Sequence, residues 1–239
     1  MKTKCVIFDF ENTLAKLSVD WKDSFLKVAD SYIKNGVPSE VIDPYKYKPI
    51  YLINEVYEKM LRLFPREKAE RIQKEASKIM EKLELEGVES SELIHNSRET
   101  LKMLRDLGIK IGIVTSTSKL SVIKTLEKFG LMDYVDAIFS RDSLGRPKPS
   151  PDLVLTCLEA LKCDPEHAFV VGDDLKDIQA ARNAGVYSIG YLAKRDRVWK
   201  KMVTGEQIAM MKNAMRETAD RIITDLSEIP RIVCEKERL

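Results

Sequence analysis

Short runs of consecutive apolar residues, each closed by a polar or glycine position, recur along the chain. They are KCVIF before Asp9, IKIGIV before Thr115, DAIF before Ser140, AFVV before Gly172, VYSIG up to Gly190 and RIIT before Asp225. Runs without polar alternation fit strands buried on both faces better than strands with a solvent face. Helical patterns separate them. Asn96 with Glu99 predicts a capping box for a helix carrying Leu101, Leu104 and Leu107, which Gly108 ends. Pro151 suits the first turn of another helix, running through Leu155 and Leu158. Strands alternating with helices predict right-handed β-α-β units, hence an α/β fold with a Rossmann-like parallel sheet core and helices on both faces.

Residues 17–94 break the alternation, with helical signals and no convincing strand. Helices are predicted over Trp21–Lys34, 50–63 and 66–85, joined by turns at Gly36-Val-Pro38 and Asp43-Pro44. The expectation is an inserted α-helical bundle, a cap domain over 17–94, with a discontinuous core of 1–16 and 95–239. A second irregular stretch, 191–218, is basic at first (Lys194, Arg195, Arg197, Lys200, Lys201) and then places Ile208, Met211 and Met215 at helical spacing, a packing stripe. Lys46 and Lys48 are candidates for the mouth of the cap, against the plainer reading of an exposed loop.

A chain of 239 residues can bury about 70 to 75% of its unfolded surface, enough for a full core and a smaller unit. Lys and Arg number 40 against 38 Asp and Glu, a balance that gives no whole-molecule field to attract nucleic acid or an anionic membrane. The charged fraction is 33%, above the roughly 25% of ordinary domains and in the direction of heat-adapted ion-pair networks. The apolar run in MKTKCVIFDFENT is too short for a signal peptide or a membrane span, so a cytoplasmic location is expected. Cys5, Cys157, Cys163 and Cys234 form no C-x-x-C pair, which points to reduced, packed thiols and away from zinc. The only histidines are His95 and His167, read as surface or boundary residues, and no G-x-S-x-G, Walker or dinucleotide-binding glycine pattern occurs. Histidine-led acyl transfer and nucleotide-cradling loops are therefore disfavoured.

Acids and hydroxyls fall just past the carboxyl ends of successive buried runs. Asp9 and Glu11 follow the first, Thr115 and Ser116 the second, Lys148 lies past the third, and Asp173, Asp174 and Asp177 follow the fourth. That edge of an open α/β sheet is where ligands bind. Several carboxylates converging there would repel one another, so a divalent cation is expected, and an all-oxygen shell suits Mg2+. A lysine and two hydroxyls opposite would hold an anion.

In this order the residues resemble the haloacid dehalogenase superfamily. The likeness is to its phosphatase branch, similar to phosphoglycolate phosphatases, with a helical cap between the first and second motifs. The first motif, D-x-D-x-T, reads Asp9-Phe-Glu11-Asn-Thr13; the second closes IGIVT at Thr115; the third is Lys148 in RPKPSPD; the fourth, G-D-x-x-x-D, is Gly172-Asp173 to Asp177. The resemblance implies that Asp9 is a nucleophile forming an aspartyl-phosphate, and that Glu11 protonates the leaving oxygen and later deprotonates water. It implies a magnesium site made by Asp9, the main-chain carbonyl of Glu11 and Asp173, oriented by Asp177. Thr115, Ser116, neighbouring N–H groups, the amide of Asn12 and the charge of Lys148 would bind the phosphoryl group. The implied partner is a small phosphorylated metabolite, with oligomeric state open between monomer and dimer. Glu11 departs from the aspartate usual there. A chain that binds a phosphorylated ligand or partner with little turnover is thus the alternative. A receiver-type signalling domain shares several of these groups but has no place for the helical insertion or for the acids after the fourth strand.

Overall fold

The computed structural model describes residues 3–42, 49–192 and 205–235. Lys46, Lys48 and the basic residues between Lys194 and Lys201 lie outside them. The elements run β1 (Cys5–Phe8), β2 (Ala15–Lys16), α1 (Trp21–Lys34), α2 (Pro49–Leu63), α3 (Arg66–Val88), β3 (Glu92–Leu93), α4 (Ser97–Asp106), β4 (Lys110–Val114), α5 (Lys119–Lys128), β5 (Ala137–Phe139), α6 (Asp152–Leu161), β6 (Ala168–Gly172), α7 (Leu175–Asn183), β7 (Tyr187–Tyr191), α8 (Gly205–Thr218), β8 (Arg221–Ile223) and α9 (Ile229–Glu235).

Six strands form one parallel sheet in the order β5-β4-β1-β6-β7-β8. Strand β1 is central, and its side chains alternate between two apolar layers. Val6 and Phe8 join Leu101, Leu104, Val122 and Leu126 of α4 and α5. Cys5 and Ile7 join Leu153, Cys157, Leu158 and Ala181 of α6 and α7. Burial on both faces explains why β1 reads as an unbroken apolar run. Gly112 in β4 is needed for close packing, because a Cβ there would lie 2.4 Å from Cys157 Sγ. Cys5, Cys157 and Cys163 are buried free thiols, while Cys234 is exposed, unlike the packed position expected for it.

The chain divides into two compact units, Met1–Lys16 with Ser91–Leu239, and Leu17–Ser90. The second is helical, and α1, α2 and α3 enclose its own core of Phe25, Val28, Tyr32, Ile53, Met60, Ile72 and Met80. Residues 91–94 group with the sheet unit because Glu92–Leu93 pairs antiparallel with Ala15–Lys16.

The capping box expected at α4 does not form. Asn96 sits at φ 64 and makes no side-chain cap bond; its Nδ2 donates instead to Asp225 Oδ1 at 2.7 Å. Pro151 precedes α6 as its N-cap residue instead of lying in its first turn. In α8, Met215 is buried and packs with Ile178 and Leu192. Among the described residues, no helix is long and apolar enough to cross a membrane.

Candidate active site

Register decides which side chains share an edge. Phe8 lies opposite both Ile113 of β4 and Val171 of β6, so Asp9, Thr115 and Asp173 emerge at nearly the same level. The order of the strands reverses at β1 and β6, and such a switch point opens a crevice at the carboxyl edge. Asp9 follows β1, with its N–H donating to Val171 O at 2.8 Å, and Asp173 follows β6.

After Asp9 the chain folds into a tight turn. The N–H groups of Thr13, Leu14 and Ala15 all reach Phe10 O, at 3.3, 2.9 and 3.1 Å, and Asn12 N–H donates to Ala15 O at 2.7 Å. Asn12 stands at φ 66, a left-handed conformation that asparagine tolerates better than most residues. Buried Phe10 and Leu14 pin this turn to the core. Thr13 Oγ1 donates to Asp9 Oδ2 at 3.5 Å.

Lys148 joins the pieces. Its Nζ donates to Asp9 Oδ1 at 2.7 Å, to Val114 O at 3.2 Å and to Asp177 Oδ1. One ammonium therefore touches the end of β1, the end of β4 and the first turn of α7. Asp177 is fixed at its other oxygen too, because Oδ2 accepts Asp174 N–H at 3.0 Å in a capping box at the start of α7. Gly172 makes room for this arrangement. A Cβ there would lie 2.4 Å from both Cβ and Oδ2 of Asp177, which gives the glycine of G-D-x-x-x-D a steric reason.

Carboxylate oxygens of Asp9, Asp173 and Asp177 lie within 4.8 Å of one another. Asp177 is pushed up to about 7, first by burial and then by the Asp9 and Asp174 charges, against the pull of Lys148. For Lys148, burial opposes the charge, but Asp177 and Asp9 outweigh it and raise the pKa above the usual lysine value. A carboxyl held so high by burial and neighbouring anions marks a place where more positive charge would be stabilising. Hard oxygen donors clustered in this way fit Mg2+.

The structure thus brings together Asp9, Lys148, Asp173 and Asp177, with Thr115 one residue beyond the carbonyl that Lys148 touches. The carboxylate of Glu11 is not among the clustered oxygens. Thr115 is buried and Ser116 half-buried at the end of β4; Thr115 Oγ1 accepts Thr117 N–H at 3.1 Å. Arg141 was not singled out in the sequence, yet its Nη1 donates to Ser116 O at 2.9 Å. No motif signals it, since the contact depends on two loops meeting in space. The other close group of ligand atoms among the described residues, Asp164, Glu166 and His167, lies in the turn before β6, away from this edge.

Comparison with known proteins fits this geometry. A family profile described as haloacid dehalogenase-like hydrolase matches residues 6–191. A protein of Caldanaerobacter subterraneus subsp. tengcongensis, provisionally named pyrophosphatase PpaX, is 31% identical over 189 residues, 79% of this chain and 81% of its own. Pyrophosphatase PpaX of Bacillus velezensis is 27% identical over 197 residues, 79% of this chain and 83% of its own. The crystal structure of a HAD family hydrolase from Deinococcus radiodurans, with bound phosphate and sodium, aligns at TM-score 0.60 and 20% identity over 99% of this chain and 97% of that one, a likeness of fold. With the profile spanning most of the chain, this protein belongs to the haloacid dehalogenase-like hydrolase family.

Proposed function

We propose that the protein is a magnesium-dependent phosphatase that cleaves a small phosphorylated metabolite through an aspartyl-phosphate on Asp9. The observation that carries this reading is Lys148, whose ammonium bonds both Asp9 and Asp177 beside the carboxylate of Asp173. The family is one of hydrolases, two relatives carry the name pyrophosphatase, and the Deinococcus structure holds phosphate. These make a phosphate group the natural ligand of the edge, and pyrophosphate a first substrate to test.

In this account Asp9 Oδ2 attacks phosphorus while Oδ1 stays on Lys148, which holds the carboxylate in one rotamer. Splitting the displacement into two steps lowers the barrier of each. Glu11, two residues on, protonates the leaving oxygen and then takes a proton from the attacking water, a contribution of roughly 10² to 10⁴ in rate. Asp9, Asp173 and the main-chain carbonyl of Glu11 would hold Mg2+, with Asp177 orienting the site through its bonds to Lys148 and Asp174 N–H. Bound there, the cation would offset the charge of nucleophile and phosphate. Thr115, Ser116 and Asn12 bind the phosphoryl oxygens. The helical unit Leu17–Ser90, inserted between β2 and β3, is assigned as the specificity-setting cap from its place in the chain.

Glu11 also favours a second reading, in which a phosphorylated ligand is bound with little turnover, because the extra methylene moves the acid by about a bond length and a shift near 1 Å can cost on the order of 100-fold. Phosphate release from pyrophosphate and a library of phosphorylated metabolites, with and without Mg2+, tests both. Turnover that requires Mg2+ and vanishes in Asp9→Asn supports the phosphatase. Phosphate binding without release in the native chain supports the second reading, and activity surviving in Asp9→Asn overturns the first.

A further inference from the structure

The loop after β4 carries Thr115 and Ser116, and it is gripped from the loop after β5. Arg141 Nη1 donates to Ser116 O at 2.9 Å, and Arg141 N–H reaches Thr117 O at 3.4 Å. One residue on, Asp142 Oδ2 accepts Lys119 N–H at 2.8 Å, at the first residue of α5. Asp142 is itself held, its N–H donating to Ser140 Oγ at 3.2 Å. Thr115 N–H donates to Phe139 O at 2.9 Å, so the two strand ends are joined where these loops begin.

The grip acts on a single peptide plane. A peptide unit is planar, so fixing both its carbonyl and its N–H fixes its orientation. In the unit between Ser116 and Thr117, the carbonyl is held by Arg141 and the N–H by Thr115 Oγ1 at 3.1 Å. The bond from Arg141 engages the carbonyl of Ser116 and neither its N–H nor its Oγ. A guanidinium suits this task because its donors sit in a rigid plane, whereas a lysine ammonium on a flexible stem does not set a direction.

We propose that Arg141 is a positioning residue for phosphoryl binding: by locking the Ser116–Thr117 peptide, whose plane includes the Ser116 Cα, it anchors the residue whose N–H and Oγ meet the phosphate oxygens. This rests on the phosphatase reading and adds to it a residue that acts through another without touching substrate. Asp142 supports the same loop from its far end.

The test uses the full chain with Mg2+, p-nitrophenyl phosphate as substrate and orthophosphate as inhibitor, in native, Arg141→Ala, Arg141→Lys, Asp142→Ala and Asp9→Asn forms. Loosening the loop by about 1 Å predicts a loss of kcat/KM, and a rise in the orthophosphate inhibition constant, each of roughly 10- to 100-fold in Arg141→Ala, at an unchanged melting temperature. Arg141→Lys recovers only part of the loss, and Asp142→Ala shifts both constants in the same direction. Millimolar guanidinium in solution restores part of the activity of Arg141→Ala and none in Asp9→Asn. An orthophosphate constant at the native value in Arg141→Ala overturns the proposal while leaving the phosphatase standing. So does a loss that follows a fall in melting temperature and is untouched by guanidinium. If the native chain neither turns over nor binds orthophosphate, the phosphatase reading itself fails. If it binds without turnover, calorimetric affinities for orthophosphate across the same variants decide the role of Arg141.

Discussion

Replacing Gly172 by alanine is the smallest change that should disable the site. The added methyl carbon would stand 2.4 Å from Cβ and 2.5 Å from Cγ of Asp177, where ordinary contact begins at 3.4 Å. Asp177, or the strand end, must therefore yield by about 1 Å, the difference between those separations. Asp177 cannot yield alone, because its two oxygens are bonded to Lys148 and to Asp174 N–H. Overpacking a tight site of this kind costs about 1 to 3 kcal/mol, and displacing a catalytic constellation by about 1 Å costs on the order of 100-fold in rate. Thermal unfolding and steady-state phosphate release at saturating Mg2+ measure the two effects. The expected result is a lower melting temperature together with a fall in kcat of roughly two orders of magnitude. A variant that matches the native chain in both would refute the claim that Gly172 is there to admit Asp177.

Lys148→Met leaves two buried carboxylates without their shared cation, since the side chains of Lys148, Asp9 and Asp177 are only 8%, 10% and 3% exposed. Removing one partner of such a cluster costs about 3 to 5 kcal/mol; urea unfolding without divalent cations should show this, Mg2+ should offset part of it, and an unmoved midpoint contradicts it. Asp225 is held down to about 2, chiefly by the Asn96 amide, against the opposing effect of burial. Its folded pKa lies below its ordinary value of 3.8, so its contribution is present above about pH 4 and is lost as pH falls through about 2. After allowance for solvent screening this is about 1 kcal/mol. Asn96→Gly keeps the left-handed backbone and removes the amide, so it should lower stability at pH 6 and converge with the native chain near pH 2; a gap that does not narrow argues against the bond. Glu11→Asp should raise phosphate release if the longer acid is merely tolerated, and a slower variant would show that glutamate is tuned to this site.

The sheet was legible because its strands are buried on both faces and so appear as apolar runs: β1, β4, β5, β6, β7 and β8 all fall within one or two residues of the runs. The helix Trp21–Lys34 was equally plain from its periodicity, and α3 continues to Val88, three residues past the reading. The pairing of β2 with β3 was not readable, since two-residue strands carry no period. Asn96 deceived for a related reason: asparagine is a good N-cap, but here a partner 129 positions away takes its amide. At the site, the convergence of Asp9, Lys148, Asp173 and Asp177 followed from where polar residues close the strands. Arg141 was invisible because a main-chain carbonyl in another loop is its partner. The steric need for Gly172 required the position of Asp177 in space.

Whether Asp9 carries the phosphoryl group during turnover is read by rapid acid quenching followed by peptide mass spectrometry. The expected result is a phosphoryl adduct on the Asp9 carboxylate of the native chain within the first turnover, dependent on Mg2+ and absent from Asp9→Asn. An adduct on another residue, or undiminished phosphate release from Asp9→Asn with no adduct anywhere, would contradict it.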